Sequence, residues 1–314
     1  MLPELPYFPI DSDQYVMTMA RALPVDCLVE VDPARYREEL ALKAAILAED
    51  YRYYYQAPRE TEPLAWEAIE LLLDNMARHH PQHFALHREG ERWTWRNHLL
   101  GEALAFSLGD AATLPLPPLD WLGRQLQEDL LLLAEDAARG TPLVAGHLCF
   151  ASGWSLDEKL GRSFGLIHEP VPHFAERIGR PADLLMQRLK AGHATGRVGW
   201  SLTTDPELNH APCLADRRRR GEDITVRDVG ERCYLRLERQ TFSRLPRTRA
   251  VLFTIHTYRA PLATALAVDV AERARCLAGA IRTMPIALQG YKRIGAYREA
   301  LLAYLDASAG AALP

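Results

Sequence analysis

RLERQTFSRLPRTRAVLFTIHTY, residues 236–258, alternates twice. In its first half Cys233, Leu235 and Leu237 share one face, and Arg236, Glu238 and Gln240 share the other. In its second half Val251, Phe253 and Ile255 oppose Thr254, His256 and Tyr258. A period of two over a short run is the pattern of a half-buried strand. The link through Pro246 is short enough for a hairpin loop. One face of the hairpin is expected to carry Arg236, Glu238 and Gln240, joined by Arg239 and Arg244 at its end. That face suits an anionic ligand or a buried ion network.

Outward from the hairpin the pattern is mixed. Helices are expected from Asp32-Pro33 through Tyr36, Leu40, Leu47 and Tyr51, and from Thr61 through Trp66, Ile69, Leu72, Leu73 and Met76 to the break before Pro81. Phe84/Leu86 and Trp93/Trp95 around Glu89-Gly90 read as a hairpin. Leu119, Leu122, Leu126, Leu130 and Leu133 mark a third helix that Gly140 closes. A buried strand over 143–150 follows, then a capping box at Ser155 and Glu158. The proline-rich 167–172 segment excludes regular helix. A helix over 183–190, a strand over 198–202, and helices over 262–281 and 294–306 complete the chain. This is an α+β pattern of five or six mostly antiparallel strands. Two strands, then helices, then three strands is the order of a PAS-like sheet. The expected divisions are an N-terminal helical segment (1–80), a core (81–260) and C-terminal helices packed on it (261–314).

With 314 residues, 48% hydrophobic and 25% charged, the chain can bury a sizeable core. A net charge of −4 argues against nucleic acid or an anionic membrane as the main partner. There is no long apolar run and no signal-like N-terminus, which points to the cytoplasm. Cys27, Cys149, Cys213, Cys233 and Cys276 are scattered without a CxxC pair, so they read as reduced thiols. No dinucleotide fingerprint, Walker loop, GxSxG or HExxH occurs, so electrons for any redox chemistry come from a partner.

Among the histidines, His168 stands apart because Pro170 and Pro172 follow it. A stiff, non-helical segment aims a side chain, as an iron ligand requires, although a turn histidine fits the same pattern. His147 sits in an apolar strand, and His256 lies on the polar side of the hairpin. Arg236, Arg239 and Arg244 can hold ligand carboxylates, or pair internally with Glu238. The basic run at 217–220 can dock an acidic electron carrier or lie in solvent.

Residues 237–258 resemble the signature of the haem-dependent oxidative N-demethylase alpha-subunit family. LDWLGRQLQEDLLLL, WSLDEKLGRSFGLIHEPVPHFAERIGRPADLLMQRL and GRVGWSLTTDPEL agree with it in order. The resemblance implies a PAS-like antiparallel sheet with inserted helices, flanked by N- and C-terminal helices, that holds haem b. It also implies oxidation of a small secondary amine with dioxygen, releasing formaldehyde. Electrons would come from a separate flavin and iron–sulfur reductase, with a tetrahydrofolate-linked formaldehyde acceptor. On that footing His168 is the expected metal ligand. Arg236, Arg239, Arg244, Gln240, Thr254, Trp154, Lys159 and Trp200 line the cofactor pocket, and Glu238, His256 and Tyr258 are the catalytic candidates. Two departures stand out: Arg249 where the family tends to have Gly, and Gly199 where it tends to have Asn. A non-catalytic haem sensor is the alternative, since a fold does not fix a function.

Overall fold

The alternation in the chain resolves into two antiparallel sheets in the computed structural model, which describes residues 5–310 apart from 137, 218–220 and 222. β1 (Arg21–Ala22) and β2 (Tyr55–Gln56) are short strands from the N-terminal part. β3 (Phe84–Glu89), β4 (Arg92–Asn97) and β5 (Glu102–Ser107) form a small meander. β6 (Asp129–Leu133), β7 (Leu143–His147), β8 (Thr195–Thr203), β9 (Tyr234–Arg244) and β10 (Val251–Pro261) build the main sheet, in the order β1-β8-β9-β10-β6-β7-β2.

The hairpin is where its alternation puts it, with Val251 opposite Arg244 and Pro261 opposite Tyr234. Arg249 in its turn has φ 61°, a left-handed conformation in which a Cβ is crowded. Glycine would meet no such penalty there, which accounts physically for the departure noted at this position. Arg249→Gly is therefore expected to raise stability by about 1 kcal/mol, read as a higher urea midpoint with unchanged slope.

Both faces of the sheet are covered. On one, Leu130, Leu132, Ala145 and Leu252 pack against the helix Glu62–His79 and the small sheet. Further along that face Leu202, Leu235, Leu237 and Tyr258 meet the helices Val270–Thr283 and Arg298–Gly310. On the other face Leu131, Leu133, Phe242, Val251 and Ile255 pack against Phe164, Phe174, Ile178 and Met186 of the segment between β7 and β8.

The strand count, expected at five or six, is ten among the described residues, with the Phe84/Trp93 hairpin in a sheet of its own. Three further expectations need correction. The third helix is only Pro118–Gly123, and its leucine run continues as β6. All of β6 is buried, and a strand buried on both faces loses the alternation that would reveal it. The helix over 262–281 breaks into Leu262–Leu266 and Val270–Thr283 around Asp269. Finally, Arg239 does not join Arg236, Glu238 and Gln240. Cross-strand partners share a face, and Arg239 pairs with His256 while Glu238 pairs with Thr257. One residue of parity separates the two groups.

Candidate functional site

The segment that aims His168 is built from short capped turns. Ser155 and Glu158 form the capping box that starts Leu156–Lys159, and Ser163 caps Phe164–Ile167. His168 ends that turn, its carbonyl accepting from Val171 N at 2.9 Å. Its ring stacks on Phe174 with centroids 4.5 Å apart and an interplanar angle of 12°. Phe164 closes on the ring at the same 4.5 Å.

His168 Nδ1 lies 2.8 Å from the carbonyl oxygen of Phe164. A carbonyl only accepts, so Nδ1 carries the proton and Nε2 presents a lone pair. Burial lowers the ring's pKa to about 4, with the charges of Arg197 and Lys159 pushing the same way against the Phe164 carbonyl. A depressed folded-state value means that the unfolded chain binds the proton first. The resulting stability is fully present above about 6.5 and is lost as pH falls toward 4. A histidine NMR titration should therefore find His168 neutral down to about pH 4. A midpoint near the ordinary 6.5 would contradict this geometry.

Glu238 and Gln240 lie on this same face, half-buried. Gln240 donates to Glu238 Oε2 at 3.0 Å and accepts from Arg197 Nε at 2.8 Å. Gly199 pairs with Glu238, and a Cβ there would meet nothing closer than 3.9 Å, so space is open beside the carboxylate. Lys292 donates to the Trp200 carbonyl at 2.6 Å and sits 5.3 Å from the Trp200 ring. Its burial lowers the ammonium to about 8, with Glu238 pulling the other way. Trp154 packs on the cluster around Phe164 and Phe174.

The hairpin arginines are clamps. Arg236 donates to the carbonyls of Leu208 and Phe150 at 2.8 and 2.7 Å. Arg244 holds the carbonyls of Leu189 at 3.1 Å and Arg249 at 2.6 Å, and also that of Met186. Lys159 donates to the Ile167 carbonyl at 2.6 Å, which ties down the turn before His168. These residues fasten loops to the sheet with charge-assisted bonds.

Across the sheet lies a second polar cluster. Arg239 bonds the carbonyls of Leu28 and Cys27 at 3.0 and 2.6 Å and pairs with Glu30 at 2.9 Å. Tyr258 donates to Glu30 Oε2 at 2.8 Å, and Tyr7 donates to Oε1. His256 stacks on Tyr258, and its Nδ1 is 3.2 Å from Glu128 Oε1. Burial opposes charge on both partners, yet their mutual attraction carries His256 up and Glu128 down. Thr254 contacts Thr241 at 2.6 Å. Thr254, His256 and Tyr258 thus belong with Arg239, behind Glu30, and are separated from His168 by the sheet.

A cavity of about 720 Å³ lies at the β8 side of the sheet, under residues 7–25. Tyr7, Glu30, Arg197, Trp200, Arg239 and Gln240 are among its lining residues, so it draws on both polar groups. Its volume falls in the range of small-molecule sites. Arg197, Glu30, Glu128 and Tyr7 were not singled out from sequence. Glu30 alternates with Val29 and Val31, a strand-like signal, but Glu128 was hidden by the helical reading of its leucine-rich neighbours.

Asp129, His147 and Cys149 also converge with metal-like spacing. Both Asp129 oxygens, however, accept backbone N–H groups, from Cys149 and Phe150, at 2.8 Å each. The Lys43 ammonium lies 3.7 Å from Asp129 Oδ1 and already supplies the positive charge. Burial drives the Cys149 thiol up, away from the thiolate a metal needs. His147 is equally closed in: a Cβ on Gly123 would come within 2.4 Å of its ring. This trio is a buried structural network. In the basic run, Arg217 ends the turn Pro212–Arg217, and 218–220 lie outside the described residues.

Among the described residues, no helix is long and apolar enough to cross a membrane. The model of a protein family described as haem-dependent oxidative N-demethylase, alpha subunit-like, matches residues 19–302. That match runs through every strand of both sheets, the His168 turn and the hairpin. The chain belongs to the haem-dependent oxidative N-demethylase alpha subunit-like family, a family of oxidoreductases.

Proposed function

We propose that this protein binds haem b through His168 and oxidises a small secondary amine with dioxygen, releasing formaldehyde. The observation that carries the reading is the His168 turn: a neutral imidazole, its tautomer fixed by the Phe164 carbonyl and its ring clamped by Phe174 and Phe164. Hydrogen bonding of the distal ring nitrogen to a carbonyl is how proteins orient and strengthen imidazole ligands. The donor therefore fits the group. Bound haem would supply the redox chemistry with dioxygen.

The chain's own residues would do the rest. Glu238, half-buried beside the open space at Gly199, can accept the substrate N–H. Trp154 and Lys159 shape the wall on the same side, with Gln240 holding Glu238 and Arg197 in place, whereas Trp200 pairs with Leu237 and packs on the opposite face beside Tyr258. His256, Tyr258 and Thr254 are buried behind Glu30 and act as positioning residues. Arg236, Arg239 and Arg244 keep the loops around the pocket in register. A PAS-like description is supported by the strand order β8-β9-β10-β6-β7, with helices inserted between β7 and β8.

The chain shows no nucleotide fingerprint and no cysteine cluster, which supports a separate flavin and iron–sulfur reductase as electron donor. A tetrahydrofolate-linked acceptor for the formaldehyde, and a cytoplasmic setting, complete the reading. The test is to load the protein with hemin, titrate a panel of secondary amines and follow the absorption spectrum. Dithionite-reduced protein is then exposed to oxygen and formaldehyde is assayed. Amine-dependent spectral change with formaldehyde is expected. A spectrum indifferent to every amine, with no formaldehyde, would pass the reading to a non-catalytic haem protein.

A further inference from the structure

Among the described residues Arg197 makes no ion pair of its own; the Glu238 carboxylate acts on it only from beyond Gln240, which bonds both. Its Nε donates to Gln240 Oε1 at 2.8 Å and its Nη1 to the Thr18 carbonyl at 2.9 Å, two neutral acceptors that fix the guanidinium plane. Among the described residues no carboxylate lies within ion-pair distance of it, and nothing bonds Nη2. Charge in a half-buried position is normally matched by a counter-charge. Its neighbours on the sheet follow that rule: Arg239 has Glu30 at 2.9 Å and Arg236 has Glu238 at 3.7 Å.

Arg197 also lines the 720 Å³ cavity. Among the carboxylates that line the cavity, Glu30 is half-buried and already committed to Arg239, Tyr7 and Tyr258. Asp11 and Arg21 line it too, but both are exposed to solvent. Trp200, Val198 and Ile10 add apolar surface to the cavity lining, Val198 and Trp200 from the opposite face of β8. A fixed guanidinium edge beside apolar surface is a receptor for a carboxylate on a small organic body. The same guanidinium is close enough to His168 for its charge to act on that ring.

We propose that Arg197 binds the carboxylate of the substrate, so that the amine oxidised here is an N-methyl amino acid and not a simple dialkylamine. This rests on the demethylase reading above. The step it implies balances as R–NH–CH₃ + O₂ + two electrons + two protons → R–NH₂ + CH₂O + H₂O. The methyl carbon is oxidised, the N–CH₃ bond is lost, dioxygen is reduced, and the electrons come from the flavin and iron–sulfur partner. A ligand carboxylate at Arg197 has a second source, a haem propionate, and the experiment separates the two.

Binding of N-methylglycine and of N-methylglycine methyl ester is measured by calorimetry on the full chain, with and without hemin. The ester keeps the amine and removes the negative charge. Wild-type protein is expected to prefer the acid by about 10–100-fold, the range for a hydrogen bond to a charged group. Arg197→Gln should abolish that preference while binding hemin and hemin dimethyl ester as wild type does. Arg197→Lys, which keeps the charge, should retain part of it. Equal binding of acid and ester by the wild type overturns the proposal, whatever the variants do. So does an Arg197→Gln protein that loses affinity for hemin but not for its dimethyl ester, because the guanidinium then serves the haem. An acid preference that survives in a protein making no formaldehyde from any amine would leave this site standing and remove the demethylase reading instead.

Discussion

His168→Ala is expected to lose haem affinity by more than the roughly 10–100-fold that removing a ligand's hydrogen-bond partner costs, since the ligand itself goes. The loss is read by titrating hemin into wild-type and variant protein and by the ferric spectrum of whatever haem remains. Two other buried histidines provide the control. His147 is pressed against Gly123 and faces Asp120 at 3.4 Å, and His256 is engaged with Glu128 and Tyr258. Each keeps an Nε2 without a hydrogen-bond partner but is sealed in the interior, so His147→Ala should cost stability and leave the haem spectrum unchanged. A His168→Ala protein with wild-type spectrum and occupancy would place the ligand elsewhere.

Arg239→Met should give the largest loss of stability among the hairpin arginines. Removing this side chain breaks the pair with Glu30 and strips the carbonyls of Leu28 and Cys27 of their donors. Breaking a buried pair from one side costs about 3–5 kcal/mol. Because the Glu30 side chain keeps 27% of its surface exposed, the low end, about 3 kcal/mol, is expected. Urea denaturation measures it, with Arg282→Met as the comparison, since that residue's pair with Asp306 is exposed. A midpoint for Arg239→Met no lower than that of Arg282→Met would show that the cluster behind Glu30 is not a stabilising network.

The hairpin, the capping box at Ser155 and the non-helical turn at His168 were legible because each is written in local chemistry: alternation, a capping pair and two prolines. β6 was not, because burial on both faces leaves a continuous leucine run that carries no period. The site was legible in part for the same reason. His168 could be chosen from its prolines, and Glu238 and Gln240 from their parity. The split of Arg239, His256 and Tyr258 from Glu238 follows only from register, which pairs Arg239 with His256. Arg197 and Glu30 have unremarkable sequence contexts. Their importance comes from neighbours far along the chain, Arg197 through Thr18 and Gln240, Glu30 through Tyr258 and Arg239.

Haem ligation by His168 is tested most directly by the absorption spectrum of the purified full chain after reconstitution with hemin. A Soret band with about one haem per chain by pyridine hemochrome, and a ferric spectrum of imidazole ligation that His168→Ala removes, is the expected result. No Soret band after reconstitution, or an imidazole-ligated spectrum that His168→Ala leaves untouched, would contradict it.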